Sequence, residues 1–225
     1  MGEFITLAAA DGHKFSAYEA GPAGKARGGL VVLPEIFGIN AHMRNVADGY
    51  AADGYHVLAP CLFDRVERDY ERGYGPADID AGRAVMQTLK PPQMLADITA
   101  TVTKLAPEGN VGLVGYCLGG SLAWAAASAV GGLAATVGYY GGTIAANLDK
   151  QPKVPVMLHF GDDDAGIPVA DVEKIRAAAD PKRVTVFRYA GAPHAFNRAG
   201  TPSWREESAR LARERSLAFL KQHIG

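Results

Sequence analysis

The pentapeptide Gly115-Tyr116-Cys117-Leu118-Gly119 has the G-x-nucleophile-x-G form of a sharp strand-to-helix turn that pushes one reactive side chain into a cleft. Val111-Gly112-Leu113-Val114 before it reads as a buried parallel strand, and Ser121 to Ala127 after it reads as a helix. Cysteine stands where serine is usual, so the chemistry on offer is thiolate attack on an acyl carbon. A thiol needs a base to take its proton and a third group to orient that base. Both follow in the order nucleophile, acid, histidine that this turn requires. An acidic loop, Gly161-Asp162-Asp163-Asp164-Ala165-Gly166-Ile167-Pro168, follows one predicted strand, and His194 lies in the Gly/Pro-punctuated loop Ala190 to Phe196 after the next. Spacing alone leaves the three aspartates open. His159 falls inside a strand and reads as a core residue, while His13, His42, His56 and His223 have no comparable context.

A second stretch, Pro34-Glu35-Ile36-Phe37-Gly38-Ile39-Asn40, leaves a predicted central strand at the same sheet edge. The amides of Ile36 and of Leu118, just after the cysteine, are the candidate oxyanion-hole donors. Glu35, beside Pro34, Ile36 and Phe37, has two readings: a desolvated carboxylate able to take up a proton, or an exposed loop glutamate. Phe37, Tyr140 and Phe196 are candidate pocket walls, and equally ordinary core aromatics.

These residues must be held by a scaffold, and apolar runs alternate with helical patterns along almost the whole chain. That alternation predicts an α/β fold of the hydrolase type, one domain over residues 1–225 with a mostly parallel sheet and helices on both faces. Phe4–Ala8 and Phe15–Ala20 form an opening hairpin around Asp11-Gly12, and strands follow at Leu30–Leu33, Val57–Ala59, Ala134–Tyr140, Val154–Phe160 and from Val184 to about Tyr189. Helices are predicted at about Ala41–Ala52, Pro92–Leu105 and Val169–Ala178. Residues 64–78 carry no clear period and are expected to loop over the cleft. The last helix is expected to open on a capping box, Ser203-Trp204-Arg205-Glu206, and to bury Trp204, Leu211, Ala218 and Phe219.

With 23 basic against 24 acidic residues and no basic block, electrostatics gives no reason to expect nucleic acid or a membrane surface as partner. A small molecule is the expected partner. Two cysteines, Cys61 and Cys117, are too few for a disulfide framework and fit a reducing compartment. The beginning, Met1 to Thr6, lacks a basic start before an apolar run, and no segment has the roughly 18 apolar residues of a span, so the expectation is cytoplasmic. A monomer or small homo-oligomer is expected.

The combination resembles the dienelactone hydrolase (carboxymethylenebutenolidase) family over nearly the whole chain. It rests on Glu35 to Asn40, Val111 to Gly120, Val137-Gly138-Tyr139-Tyr140-Gly141, Asp164 ahead of Ile167-Pro168, and His194-Ala195-Phe196. The resemblance implies a Cys117-His194-Asp164 triad without metal or organic cofactor, opening dienelactone-type enol lactones to keto acids such as maleylacetate. It implies a resting thiol associated with Glu35, which takes the thiol proton when substrate binds. It also implies two arginines that clamp the substrate carboxylate. Arg198, four residues after His194, occupies one place; the other falls to Arg65, Arg68 or Arg72, or to none, with Arg72 the chosen candidate. Loss of one would relax the demand for an acidic lactone toward small esters in general. A non-catalytic relative that uses Cys117 for redox or ligand sensing is the competing class. Cys61 is expected to be structural.

Overall fold

A computed structural model of the chain describes residues 2–225. Eight strands form one sheet: β1 (Glu3–Ala8), β2 (Lys14–Ala20), β3 (Gly29–Leu33), β4 (His56–Pro60), β5 (Val111–Tyr116), β6 (Leu133–Tyr139), β7 (Val156–Gly161) and β8 (Val184–Tyr189). Their spatial order is β1-β2-β4-β3-β5-β6-β7-β8. The β1–β2 hairpin pairs antiparallel to itself and to β4, and every other pairing is parallel. The parallel strands are short apolar runs because both faces are covered, and side chains alternate between them. In β3, Leu30 and Val32 enter one core while Val31 and Leu33 enter the other.

Helices α1 (Ala41–Ala52) and α6 (Glu206–Ile224) supply the first core with Met43, Tyr50, Leu220 and Ile224; α3 (Pro91–Leu105) and α4 (Leu118–Ala129) supply the second with Met94, Ile98, Leu122 and Ala126. Asn40 caps α1, its side chain accepting the Met43 amide at 3.2 Å. Helix α5 (Val169–Ala178) connects β7 to β8 and packs on β8.

Three expectations need correction. Residues 64–78 are not one loop. A 3-10 turn covers Leu62–Arg65, residues 66–75 run beside the loop after β3 through a Gly38–Glu71 bridge, and a helix, α2 (Pro76–Thr88), begins where a loop was expected. Pro76 opens α2 and Asp78 accepts the Gly75 amide at 3.2 Å, which satisfies one donor at its start. Its apolar side chains are only half buried, so its periodicity is faint. Second, the capping box at Ser203–Glu206 does not form. Arg205 is extended and its amide bonds to the Phe196 carbonyl at 2.8 Å, so α6 starts only at Glu206 and Trp204 stays exposed. Third, the buried stripe of α6 is Ala212, Ser216, Leu220 and Ile224, with Leu211 and Phe219 half buried and Ala218 exposed. A polar residue sits in the middle of that stripe, and a pattern read on apolar residues alone slides past it.

Candidate active site

Six parallel strands, β3 to β8, end at one edge of the sheet, and the loops leaving them carry the predicted residues. At the end of β5, Cys117 turns into α4 with φ 54° and ψ −109°, a positive φ that a side chain rarely adopts. Such strain costs on the order of 1–3 kcal/mol and holds the side chain out of the strand-helix line. The turn is tight enough that a Cβ on Gly119 would stand 2.6 Å from the Leu33 carbonyl oxygen, which is why only glycine fits there. The Gly119 amide donates to the Pro34 carbonyl at 3.0 Å, tying the elbow to the loop that carries Glu35 and Ile36. Leu118 opens α4, so its amide belongs to the first turn and has no acceptor within the helix.

The loop after β7 supplies the acid. Asp164 Oδ2 lies 2.6 Å from His194 Nδ1, while its Oδ1 accepts the Gly166 amide at 2.9 Å. Asp162 instead receives Arg188 at 2.7 Å, and Asp163 is exposed. Burial and charge thus separate three neighbours that spacing could not. Burial alone disfavours a charged imidazole, but hydrogen bonds to Asp164 and to Cys117 outweigh it and push His194 up to about 10. The two interactions put the imidazole between carboxylate and sulfur, and the Tyr140 ring packs against it at 4.8 Å.

Glu35 is fully enclosed, at 1% exposure, which decides between its two readings in favour of the desolvated one. Arg198 grips it with two hydrogen bonds, Nε to Oε2 at 3.0 Å and Nη2 to Oε1 at 2.8 Å, and Tyr140 Oη donates to Oε1 at 3.3 Å. Tyr140 has a single proton, and the Asn197 carbonyl oxygen competes for it in a shorter contact. The Arg198 guanidinium packs against both Tyr74 and Phe37, 4.2 and 5.3 Å from the centres of two rings that meet edge to face. The hydrogen bonds of the Glu35 carboxylate go to Arg198 and Tyr140, not to the thiol expected from the resemblance.

A cleft of about 300 Å3 opens over Cys117 and His194, walled by Ile36, Phe37 and Arg198. Tyr140 and Phe196 lie beneath it, buried and in contact with each other at 5.8 Å. Arg72 does not enter it: its guanidinium donates to Glu67 at 2.8 Å and rests over the Tyr70 ring. Arg65 is consumed by Asp97 and Asp11, and Arg68 by the Lys14 carbonyl and Asp64. Arg68 and Arg72 face outward, and the Arg65 side chain is buried against Asp97, away from the cleft. The second cation lining the cleft is Arg83, from α2, beside Ile79 and Met86. The spacing Ile79, Arg83, Met86 is i, i+4, i+7, one helical face, and was the available signal for both the helix and its arginine. Cys61 is half buried and burial pushes its thiol up to about 12, as suits an inert residue. No helix among the described residues is long and apolar enough to cross a membrane.

Comparison with known proteins places this geometry. A sequence model of the dienelactone hydrolase family matches residues 15–224. The carboxymethylenebutenolidase of Pseudomonas putida is 33% identical over 97% of this chain and 95% of its own, and that of Pseudomonas sp. strain P51 is 33% identical over 98% and 95%. Among solved structures, a dienelactone hydrolase-type protein of Klebsiella pneumoniae superposes with a TM-score of 0.85 at 28% identity, covering 99% of both chains. A dienelactone hydrolase-like promiscuous phosphotriesterase from metagenomic libraries shares the fold, with a TM-score of 0.73 at 20% identity over 100% of this chain and 99% of that one.

Proposed function

The chain belongs to the dienelactone hydrolase family and is a carboxylic ester hydrolase, and from that premise we propose that it opens dienelactone-type enol lactones through a Cys117 acyl-enzyme. The observation that carries this reading is the strained Cys117 beside the His194–Asp164 pair, in a cleft that also holds the buried Glu35–Arg198 pair. A lactone bearing a carboxylate can offer Arg198 a new anion. The guanidinium then shares its donors, and Glu35, enclosed and with a weakened partner, becomes a better acceptor for the thiol proton. The thiolate attacks the lactone carbonyl, and the tetrahedral oxyanion is held by the amides of Ile36 and Leu118. The ring C–O bond breaks, the enolate leaves, and a thioester to Cys117 remains. The enolate takes the proton that the raised His194 carries; the imidazole, now neutral and oriented by Asp164, takes a proton from water as it attacks the thioester, the departing thiolate recovers its proton from Glu35, and a keto acid of the maleylacetate type is released. Arg83 is the second cation for the substrate carboxylate, in the place Arg72 was expected to fill.

Purified enzyme should hydrolyse dienelactone, and Cys117→Ala should abolish turnover and the acyl adduct seen by mass spectrometry after a substrate pulse. Full activity in that variant would end this reading. One observation favours a second, broader substrate class: Arg83 is carried by a helix that buries only Gly82, so the acidic clamp is less firmly built than the triad. Neutral activated esters turned over as fast as dienelactone would support that alternative.

A further inference from the structure

A larger cavity, about 490 Å3, lies between α1 and α6 and does not include Cys117. Its cation is Arg213, on α6. The guanidinium rests 3.6 Å from the centre of the Tyr50 ring and gives Nη2 to Asp53, while Nη1 has no acceptor. One carboxylate thus answers only part of a five-donor group, and Nη1 is left buried without an acceptor, which a native structure seldom bears without a function. The helix facing it has been kept clear: Gly49 of α1 stands next to Arg213, and a Cβ built there would have only Nη2 within range, at 3.7 Å. Across the cavity stand the half-buried His42 ring and the amides of Asn45 and Asn197. Asn197 spends its carbonyl oxygen on the Tyr140 hydroxyl, which leaves its NH2 group for a ligand. Tyr116 and Tyr139 supply an aromatic wall.

We propose that this cavity binds a small organic monocarboxylate, its carboxylate against Arg213 and the Asn197 amide and its apolar body over Tyr116 and Tyr139. The Arg213 donor that Asp53 leaves without a partner, beside neutral amides, suits one carboxylate, and an aromatic wall favours a flat apolar body over a compact, strongly hydrated ion. The occupant would sit one hydrogen bond from Tyr140, and so within reach of the hydroxyl that also serves Glu35. The site uses none of the residues of the proposed reaction, so its failure and the failure of that reaction are separable.

The test is isothermal titration calorimetry with benzoate on the wild type and on Arg213→Gln, Gly49→Leu and Arg83→Gln, each checked by circular dichroism. Saturable binding with Kd on the order of 1 mM is expected for the wild type and for Arg83→Gln. Arg213→Gln removes the cation and Gly49→Leu fills the space before it, and each should weaken binding at least about tenfold. Should Gly49→Leu fail to fold, Arg213→Gln decides alone. The proposal is overturned if the wild type does not bind, if Arg213→Gln binds as the wild type does, or if binding is lost in Arg83→Gln, which would locate it in the catalytic cleft.

Discussion

His194 is held between two groups that both favour its charged form, and Asp164 is the one that can be removed cleanly. Its side chain is 1% exposed, and that burial together with its bond to Nδ1 selects it from three consecutive aspartates. Asp164→Asn keeps the shape and loses the charge. Burial is then opposed by Cys117 alone, so the imidazole should fall from about 10 toward its ordinary 6.5, and kcat should drop roughly 10²- to 10⁴-fold. An NMR titration of His194 together with steady-state kinetics checks both. The sign for folding is the reverse of a carboxylate's: a raised histidine contributes stability that is complete below 6.5 and is lost as pH rises through about 10. The places of Cys117, His194 and Glu35 could be read from local pattern because each follows the end of a strand, whereas the burial of Glu35 could not. The choice of Asp164 could not, since capping, pairing and catalysis all suit an aspartate before a helix, and only three-dimensional burial distinguishes them.

At the scale of elements, α2 supplies one wall of the cleft and its second cation. It lies over the loop after β3 closely enough that a Cβ on Gly82 would stand 2.7 Å from the Ile36 carbonyl oxygen. Glycine inside a helix usually weakens it by about 1 kcal/mol, and here it permits that approach. Arg83 is thereby brought to the same cleft as Arg198. Arg83→Ala should raise KM for a carboxylate-bearing lactone about tenfold or more and leave a neutral ester within about twofold, because a charge-assisted contact is lost only where the substrate has a charge. Arg72→Ala, whose partner is Glu67, should change neither. Kinetics on the two substrates side by side separates the cases, and a KM effect in the Arg72 variant would return the clamp to residues 66–75.

Across the whole molecule, the two faces of the sheet are joined to their helices by packing, and on one face by a buried polar network as well. His159 on β7 is fully buried; its Nδ1 meets Tyr189 at 2.8 Å and its Nε2 meets Ser216 of α6 at 3.0 Å, and Ser216 also meets Tyr139 of β6 at 2.7 Å. Ser216 gives its own proton to the Ala212 carbonyl at 2.9 Å, so both neighbours are satisfied when His159 is neutral. Ser216→Ala should cost about 1–3 kcal/mol, the penalty of leaving buried polar groups without partners, measured by urea denaturation. Burial lowers His159 to about 3, so the unfolded chain binds a proton that the native one refuses between about 6.5 and 3. Stability from this residue is therefore present above 6.5 and falls with acid through that window, by at most about 1.4 kcal/mol per pH unit. A variant with His159→Gln should lose that part of the acid slope.

What the chain's own pattern determined is the frame: strands as short apolar runs, helices between them, and nucleophile, acid and base in order at strand ends. These are local or periodic properties, and periodicity survives without knowledge of the fold because each face of an element meets one environment. Tertiary structure alone decided which charges meet. Arg198 lies 163 residues from Glu35 yet closes on it with two bonds; Arg65, Arg68 and Arg72 find carboxylates or carbonyls away from the cleft; Arg83 arrives on a helix whose apolar face is too thinly buried to leave a clear period. Long, charged side chains can pair in many directions, and their partners are chosen by which elements pack together, a property spread over the whole sheet and absent from any window of sequence.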